Sequence, residues 1–202
     1  MPSELKRFHL SGQSHFITFG CYHRRRLFVT DASCQIFESA LERVRHNYKL
    51  YVYGYVVMPD HIHLLLSEPQ LECGDSGSQP GFGLSGNVHT LTLADALKSL
   101  KQGVSRRLIG NASHFWQKRY YDFNIRNHQQ FVEKLRYIHC NPVKKNLCER
   151  PEDWAWSSFR HYATGCEGKV EIESEWTARK RERASGTLCP LIELPHSSQK
   201  RA

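Results

Sequence analysis

Tyr55-Val56-Val57-Met58-Pro59-Asp60-His61-Ile62-His63-Leu64-Leu65-Leu66 lies in the first half of the chain. It predicts a strand, a Pro-Asp turn and a second strand that opens on a histidine pair. Side chains alternate across a strand, so His61, His63 and Leu65 share one face. Ile62, Leu64 and Leu66 fill the opposite, apolar face. Two imidazoles spaced this way can grip one metal ion. The same pair also suits an ordinary hairpin with surface or core histidines, and spacing alone leaves both readings open.

His15 to Tyr22 is rich in β-branched and aromatic residues and predicts a first strand, which runs into the basic turn His23-Arg24-Arg25-Arg26. Asp31 is the expected N-cap of a helix to about Asn47, with Phe37, Ala40, Leu41 and Val44 on its buried face. The hairpin strands span Lys49 to Met58 and His61 to Ser67. Residues 68–90 change to Gly, Ser, Pro and Gln and read as a flexible insertion without chemistry. A second helix is expected from Thr92 to Leu108, with Leu93, Leu97, Leu100, Val104 and Leu108 as its apolar stripe. His114 to Tyr121 is the expected fourth strand, its aromatic and basic side chains suiting either an ordinary sheet edge or contact with bases and phosphates. The order strand, helix, strand, strand, helix, strand is the ferredoxin-like pattern of the α+β class, an antiparallel sheet with two helices on one face. A third helix, Asn127 to Asn141 with Pro142 as its terminator, then takes the free sheet face, toward which His61 and His63 project.

The 202 residues suffice for one core-bearing domain, and 40% hydrophobic with 24% charged residues are globular values. Net charge is +8 and the sequence pI about 9.2, which favours polyanions, nucleic acid before acidic membrane surfaces. No run is long enough for a membrane span, and the N-terminal residues lack a signal peptide's apolar segment. Seven cysteines at 21, 34, 73, 140, 148, 166 and 189 include no Cys-x-x-Cys pair, against a disulfide framework or zinc knuckle. The expected location is the cytoplasm.

In the third helix Phe131, Leu135 and Ile138 form the buried stripe. At about 100° per residue, Tyr137 falls roughly 120° from Phe131, on the polar side, with Asn141 one turn beyond it. The pair reads either as a tyrosine snorkelling over the surface or as a nucleophile beside a third metal ligand completing His61 and His63.

Val57-Met58-Pro59-Asp60-His61-Ile62-His63, Trp116-Gln117, Ile125-Arg126, Tyr137-Ile138-His139-Cys140-Asn141-Pro142-Val143 and Trp154-Ala155-Trp156-Ser157-Ser158 together resemble the REP-associated tyrosine transposases. These belong to the wider single-tyrosine group of His-hydrophobic-His endonucleases. The resemblance runs from about Lys6 to Gly165. It implies a catalytic domain over residues 1–165, bacterial origin, a divalent metal, and cleavage of single-stranded DNA beside a hairpin. Residues 166–202 turn polar and read as a solvated tail or a DNA-facing or regulatory arm. It carries the metal ligands onto His61, His63 and Asn141 and the nucleophile onto Tyr137. Two departures stand out. Asp122-Phe123-Asn124-Ile125-Arg126 lacks the histidine that often precedes Ile-Arg in the family, and the Gly/Ser-rich insertion is long.

The expected chemistry is strand transfer through a 5′-phosphotyrosine, with Mg²⁺ or Mn²⁺ as cofactor. Two imidazoles and an amide suit Mn²⁺ better, whereas cellular abundance favours Mg²⁺. Single-stranded or hairpin DNA is the expected partner of a monomer or homodimer. The DNA-binding set expected from charge is Arg24, Arg25 and Arg26, then Lys98, Lys101, Arg106 and Arg107 on the second helix, then Lys118, Arg119, Arg126, Lys144 and Lys145. Two alternatives differ in class. A histidine-triad hydrolase would need a third alternating histidine where Leu65 stands, and a non-catalytic DNA- or RNA-binding module would retain the fold alone.

Overall fold

The computed structural model describes residues 13–70, 91–109 and 114–184. The elements are β1 (Ser14–Gly20), α1 (Asp31–Asn47), β2 (Val52–Val57), β3 (His61–Leu66), α2 (Leu93–Ile109), β4 (Tyr121–Ile125), α3 (His128–Lys144), α4 (Phe159–Thr164) and α5 (Glu175–Ala184). The strands form one antiparallel sheet in the order β2-β3-β1-β4. With α1 packed on α2, this is the expected ferredoxin-like βαββαβ arrangement.

Alternation along β3 divides the core in two, as the hairpin sequence requires. Ile62, Leu64 and Leu66 join Ile17, Phe19, Phe37, Leu41, Leu97 and Leu100 between sheet and helices α1 and α2. Leu65 joins Phe16, Val56, Met58 and Ile138 on the other face, where α3 lies. Phe131 and Leu135 of α3 pack there too, completing the predicted stripe. Gly54 makes the close seating possible, since a Cβ there would come within 2.6 Å of Leu135 Cδ1.

Several boundaries differ from the sequence reading. Thr30, not Asp31, caps α1: its side chain accepts from Ser33 N, and the Ser33 hydroxyl answers the Thr30 N–H. The fourth strand is Tyr121–Ile125, not His114 to Tyr121. His114 has φ 66°, and the aromatics after it plug the end of the sheet. Phe115 is buried, and Trp116 packs on Phe19 and Phe28 while its Nε1–H donates to Lys101 O at 2.8 Å. Helix α3 continues past Pro142 to Lys144, with Lys145 N bonded to Asn141 O at 3.0 Å, so Asn141 is held inside the helix and not at its end.

The segment Trp154 to Ser158 lies along the outer edge of β2. Val57 N donates to Trp156 O at 2.9 Å, Ser158 N to Tyr55 O at 3.0 Å, and Trp154 Nε1 to Val57 O at 3.1 Å. That pairing satisfies an edge that would otherwise expose unpaired backbone groups. The first compact unit reaches Ile172, beyond the expected boundary at 165, because Val170 and Ile172 are buried in its core. The second begins at Glu173, and α5 within it is a charged helix with Arg181 paired to Glu173 at 2.7 Å. Most of the expected 68–90 insertion and the end of the expected tail lie outside the described residues. Among the described residues no helix is long and apolar enough to cross a membrane.

Candidate active site

Strand β3 delivers His61 and His63 to the α3 face, both nearly buried at 7% and 3% exposure. Their Nε2 atoms are 3.1 Å apart. Each ring is fixed from behind. His61 Nδ1–H donates to Asp60 Oδ1 at 2.6 Å, and that carboxylate also accepts from Arg24 Nη1 at 3.2 Å. His63 Nδ1 is 2.7 Å from the hydroxyl of Thr18, directly opposite on β1. The Asn141 Nδ2 amide donates to His63 Nε2 at 3.1 Å, which makes that nitrogen an acceptor and leaves the ring proton on Nδ1.

Both Nε2 lone pairs therefore face one small space, and two lone pairs at 3.1 Å cannot bond each other. Asn141 Oδ1 beside them is buried with no hydrogen-bond partner. A half-turn of the amide would exchange its oxygen and nitrogen, ending the donation to His63 Nε2 and bringing the oxygen to the imidazoles. Two neutral imidazoles and an orphaned amide oxygen fit a divalent cation. Burial, reinforced by His61 and the charges of Arg24, Lys134 and Lys145, pushes His63 down to about 3. Burial also lowers His61, against the opposing pull of Asp60. Both rings are thus unprotonated at neutral pH, as metal ligation requires. Among the described residues no cluster of three His, Cys, Asp or Glu side chains is arranged to hold a metal ion, so a cation here would need the amide as its third ligand.

Tyr137 stands over the pair at 39% exposure, its ring edge-on to His63 with centroids 5.2 Å apart and edge-on to Phe16 at 5.8 Å. The polar-side placement expected of it is met, yet the ring also packs. His61, His63 and Tyr137 line a cleft of about 750 Å³, and Asn141 is buried beside His63.

Charge-selected residues separate into groups. Arg24, Arg26 and Lys145 line the cleft, and Lys144 Nζ lies 5.4 Å from the Tyr137 ring centre. Arg25 is exposed on the same turn but does not line the cleft. Lys98, Lys101 and Lys118 line a different depression against α2, and Arg106, Arg107, Arg119 and Arg126 are exposed outside both. Sequence reasoning missed Lys134, which lines the cleft with Nζ 5.0 Å from the Phe16 ring centre. Its position three residues before Tyr137, on the same helix face, was the available signal. It also missed the supports Asp60 and Thr18; of Tyr120 and Tyr121, the next nucleophile candidates from sequence, only Tyr121 lines this cleft. Asp122, the acidic residue of the motif that lacks its histidine, turns to the other sheet face and accepts from His15 Nδ1 at 2.8 Å.

A family model described as "Transposase IS200 like" matches residues 10–141. A REP-associated tyrosine transposase of Escherichia coli strain K12 is 24% identical over 157 residues, 78% of this chain and 82% of that protein. A Haemophilus influenzae protein bearing the same designation provisionally is 29% identical over 157 residues, 78% of this chain and 85% of that one. A solved structure of a REP-associated tyrosine transposase bound to a REP hairpin shares the fold, with TM-score 0.62 and 23% identity over 85% of this chain and 92% of that one.

Proposed function

The chain belongs to the IS200-like transposase family, and from that premise we propose a metal-dependent single-stranded DNA endonuclease and strand transferase acting at hairpin or palindromic repeats. The observation that carries this reading is the Tyr137 ring edge-on to His63 in the cleft, with the buried Asn141 amide on the same imidazole. His61, His63 and Asn141 would hold Mg²⁺ or Mn²⁺, which when bound would polarise the scissile phosphate and offset charge in the transition state.

Tyr137 is the nucleophile. Its Oη attacks phosphorus; the P–O3′ bond breaks as the P–Oη bond forms, leaving a 5′-phosphotyrosine and a free 3′-hydroxyl. The phenol proton passes to water in the open cleft, and the departing 3′ oxygen takes up a proton. Attack by a 3′-hydroxyl on the phosphotyrosine reverses these bond changes and joins strands without a nucleotide triphosphate. Arg24, Arg26, Lys134 and Lys145 line the cleft and hold the phosphates on either side of the reacting one. The relatives described as REP-associated, one of them solved on a REP hairpin, favour a hairpin substrate.

Incubation with labelled hairpin DNA and Mn²⁺ tests the reading. The expected result is a protein-linked strand that disappears in Tyr137→Phe. A Tyr137→Phe protein that still forms the adduct would exclude Tyr137 as nucleophile and move attention to Tyr121, the other tyrosine of the cleft.

A further inference from the structure

We propose that the depression on α2 is a second DNA-contacting surface, which takes the single strand after it leaves the catalytic cleft around the end of β1. The inference rests on the reading of the cleft as a DNA site. The depression has a volume of about 320 Å³, and Lys98, Lys101 and Lys118 line it together with Trp116 and Tyr120. Among the described residues no acidic side chain lines it, and three ammonium groups share the concave site. Lys101 is fixed there, its Nζ donating to Gln117 O at 3.1 Å, and burial lowers its pKa. Lys98 and Lys118 are exposed.

A cationic concavity with partly exposed aromatic edges matches a polynucleotide, whose phosphates pair with ammonium groups and whose bases stack on rings. A short backbone path joins it to the cleft. Gly20 pairs with His61 across the sheet, and Cys21 N donates to Asp60 O at 2.8 Å. Gln117 N donates to Gly20 O at 2.9 Å, and Tyr22 N to Phe115 O at 2.8 Å. The segment bearing Trp116 and Lys118 is thereby tied to the same sheet end that carries Asp60 and His61. A strand crossing that end passes from Arg24 and Arg26 to Lys118 and Lys98 while meeting basic groups on both sides.

The test is binding of the full-length protein, in EDTA to prevent cleavage, to oligothymidylates of about 5 and about 20 nucleotides. Lys98→Ala/Lys118→Ala is compared with wild type and with Arg160→Ala/Lys169→Ala, a control that removes equal charge from exposed positions outside the groove. The groove variant should bind the long strand about tenfold more weakly, with a salt slope lower by about 1.4 for two lost contacts, and the short strand as wild type does. The control should match wild type on both. A groove variant indistinguishable from wild type on the long strand, or one that loses equally on the short strand, would overturn the proposal. So would a control that loses as much. A long-strand effect abolished by millimolar thymidine monophosphate would reassign the groove to free nucleotides. Wild type failing to bind the short strand would instead count against the cleft.

Discussion

Asp60 and Thr18 decide how two imidazoles are presented, although neither reaches the space between them. A carboxylate can only accept from His61 Nδ1, and the Asn141 amide on His63 Nε2 leaves the Nδ1 proton to Thr18. Both rings are held with their Nε2 atoms converging, 3.1 Å apart, the orientation in which His61 and His63 would hold a divalent cation. Removing such a support typically lowers metal affinity about 10- to 100-fold. Asp60→Ala and Thr18→Val should each weaken Mn²⁺ binding in that range by calorimetry, with the far-ultraviolet circular dichroism unchanged. Full affinity in both variants would mean that strand geometry alone orients the rings.

Helix α3 carries Tyr137 and Asn141, so its seat sets the registry of the site. On one side Gly54 lets Leu135 approach β2. On the other, Ser158 joins strand edge, strap and helix: its hydroxyl accepts from Tyr55 N at 3.0 Å, faces Tyr55 O at 3.3 Å, and lies 2.9 Å from His139 Nε2. Ser158→Ala leaves Tyr55 N–H and the His139 ring buried without that partner, a loss of about 1–3 kcal/mol. Urea denaturation should register that loss as a lower midpoint with unchanged slope. An unaltered midpoint would show that the strap does not depend on this hydroxyl.

For the whole molecule, pH acts through buried histidines. Burial pushes His139 down to about 4, so between 6.5 and that value the unfolded chain binds a proton the folded one refuses. The His139 contribution to stability therefore falls as pH drops from about 6.5 to about 4, by roughly 3 kcal/mol at about 1.4 kcal/mol per pKa step. His61 and His63, also lowered by burial, add losses of the same sign. His15 runs the other way. Burial lowers its pKa, but Asp122 and Glu68 outweigh burial and raise it, so its contribution is complete below about 6.5 and fades at higher pH. Denaturation at pH 7 and pH 5 should show the first effect in wild type and a smaller drop in His139→Gln. Equal drops in both would assign the acid sensitivity elsewhere.

The βαββαβ order, the two-faced hairpin and the Phe131-Leu135-Ile138 stripe were legible in the residues because periodicities of 2 and 3.6 record which side of an element is buried. His61, His63, Tyr137 and Asn141 could be singled out by the same arithmetic. The end-of-sheet plug at Phe115 and Trp116 was not legible, since aromatics in a short run look alike whether they pair in a strand or pack across one. Nor could local pattern show that Thr18 lies opposite His63, that Arg24 reaches Asp60, or that Lys98 and Lys118 stand apart from Lys134 and Lys145. Those facts depend on strand register and on which sheet face each helix covers. Both are settled by contacts between residues far apart in the chain, and charge alone carries no record of them.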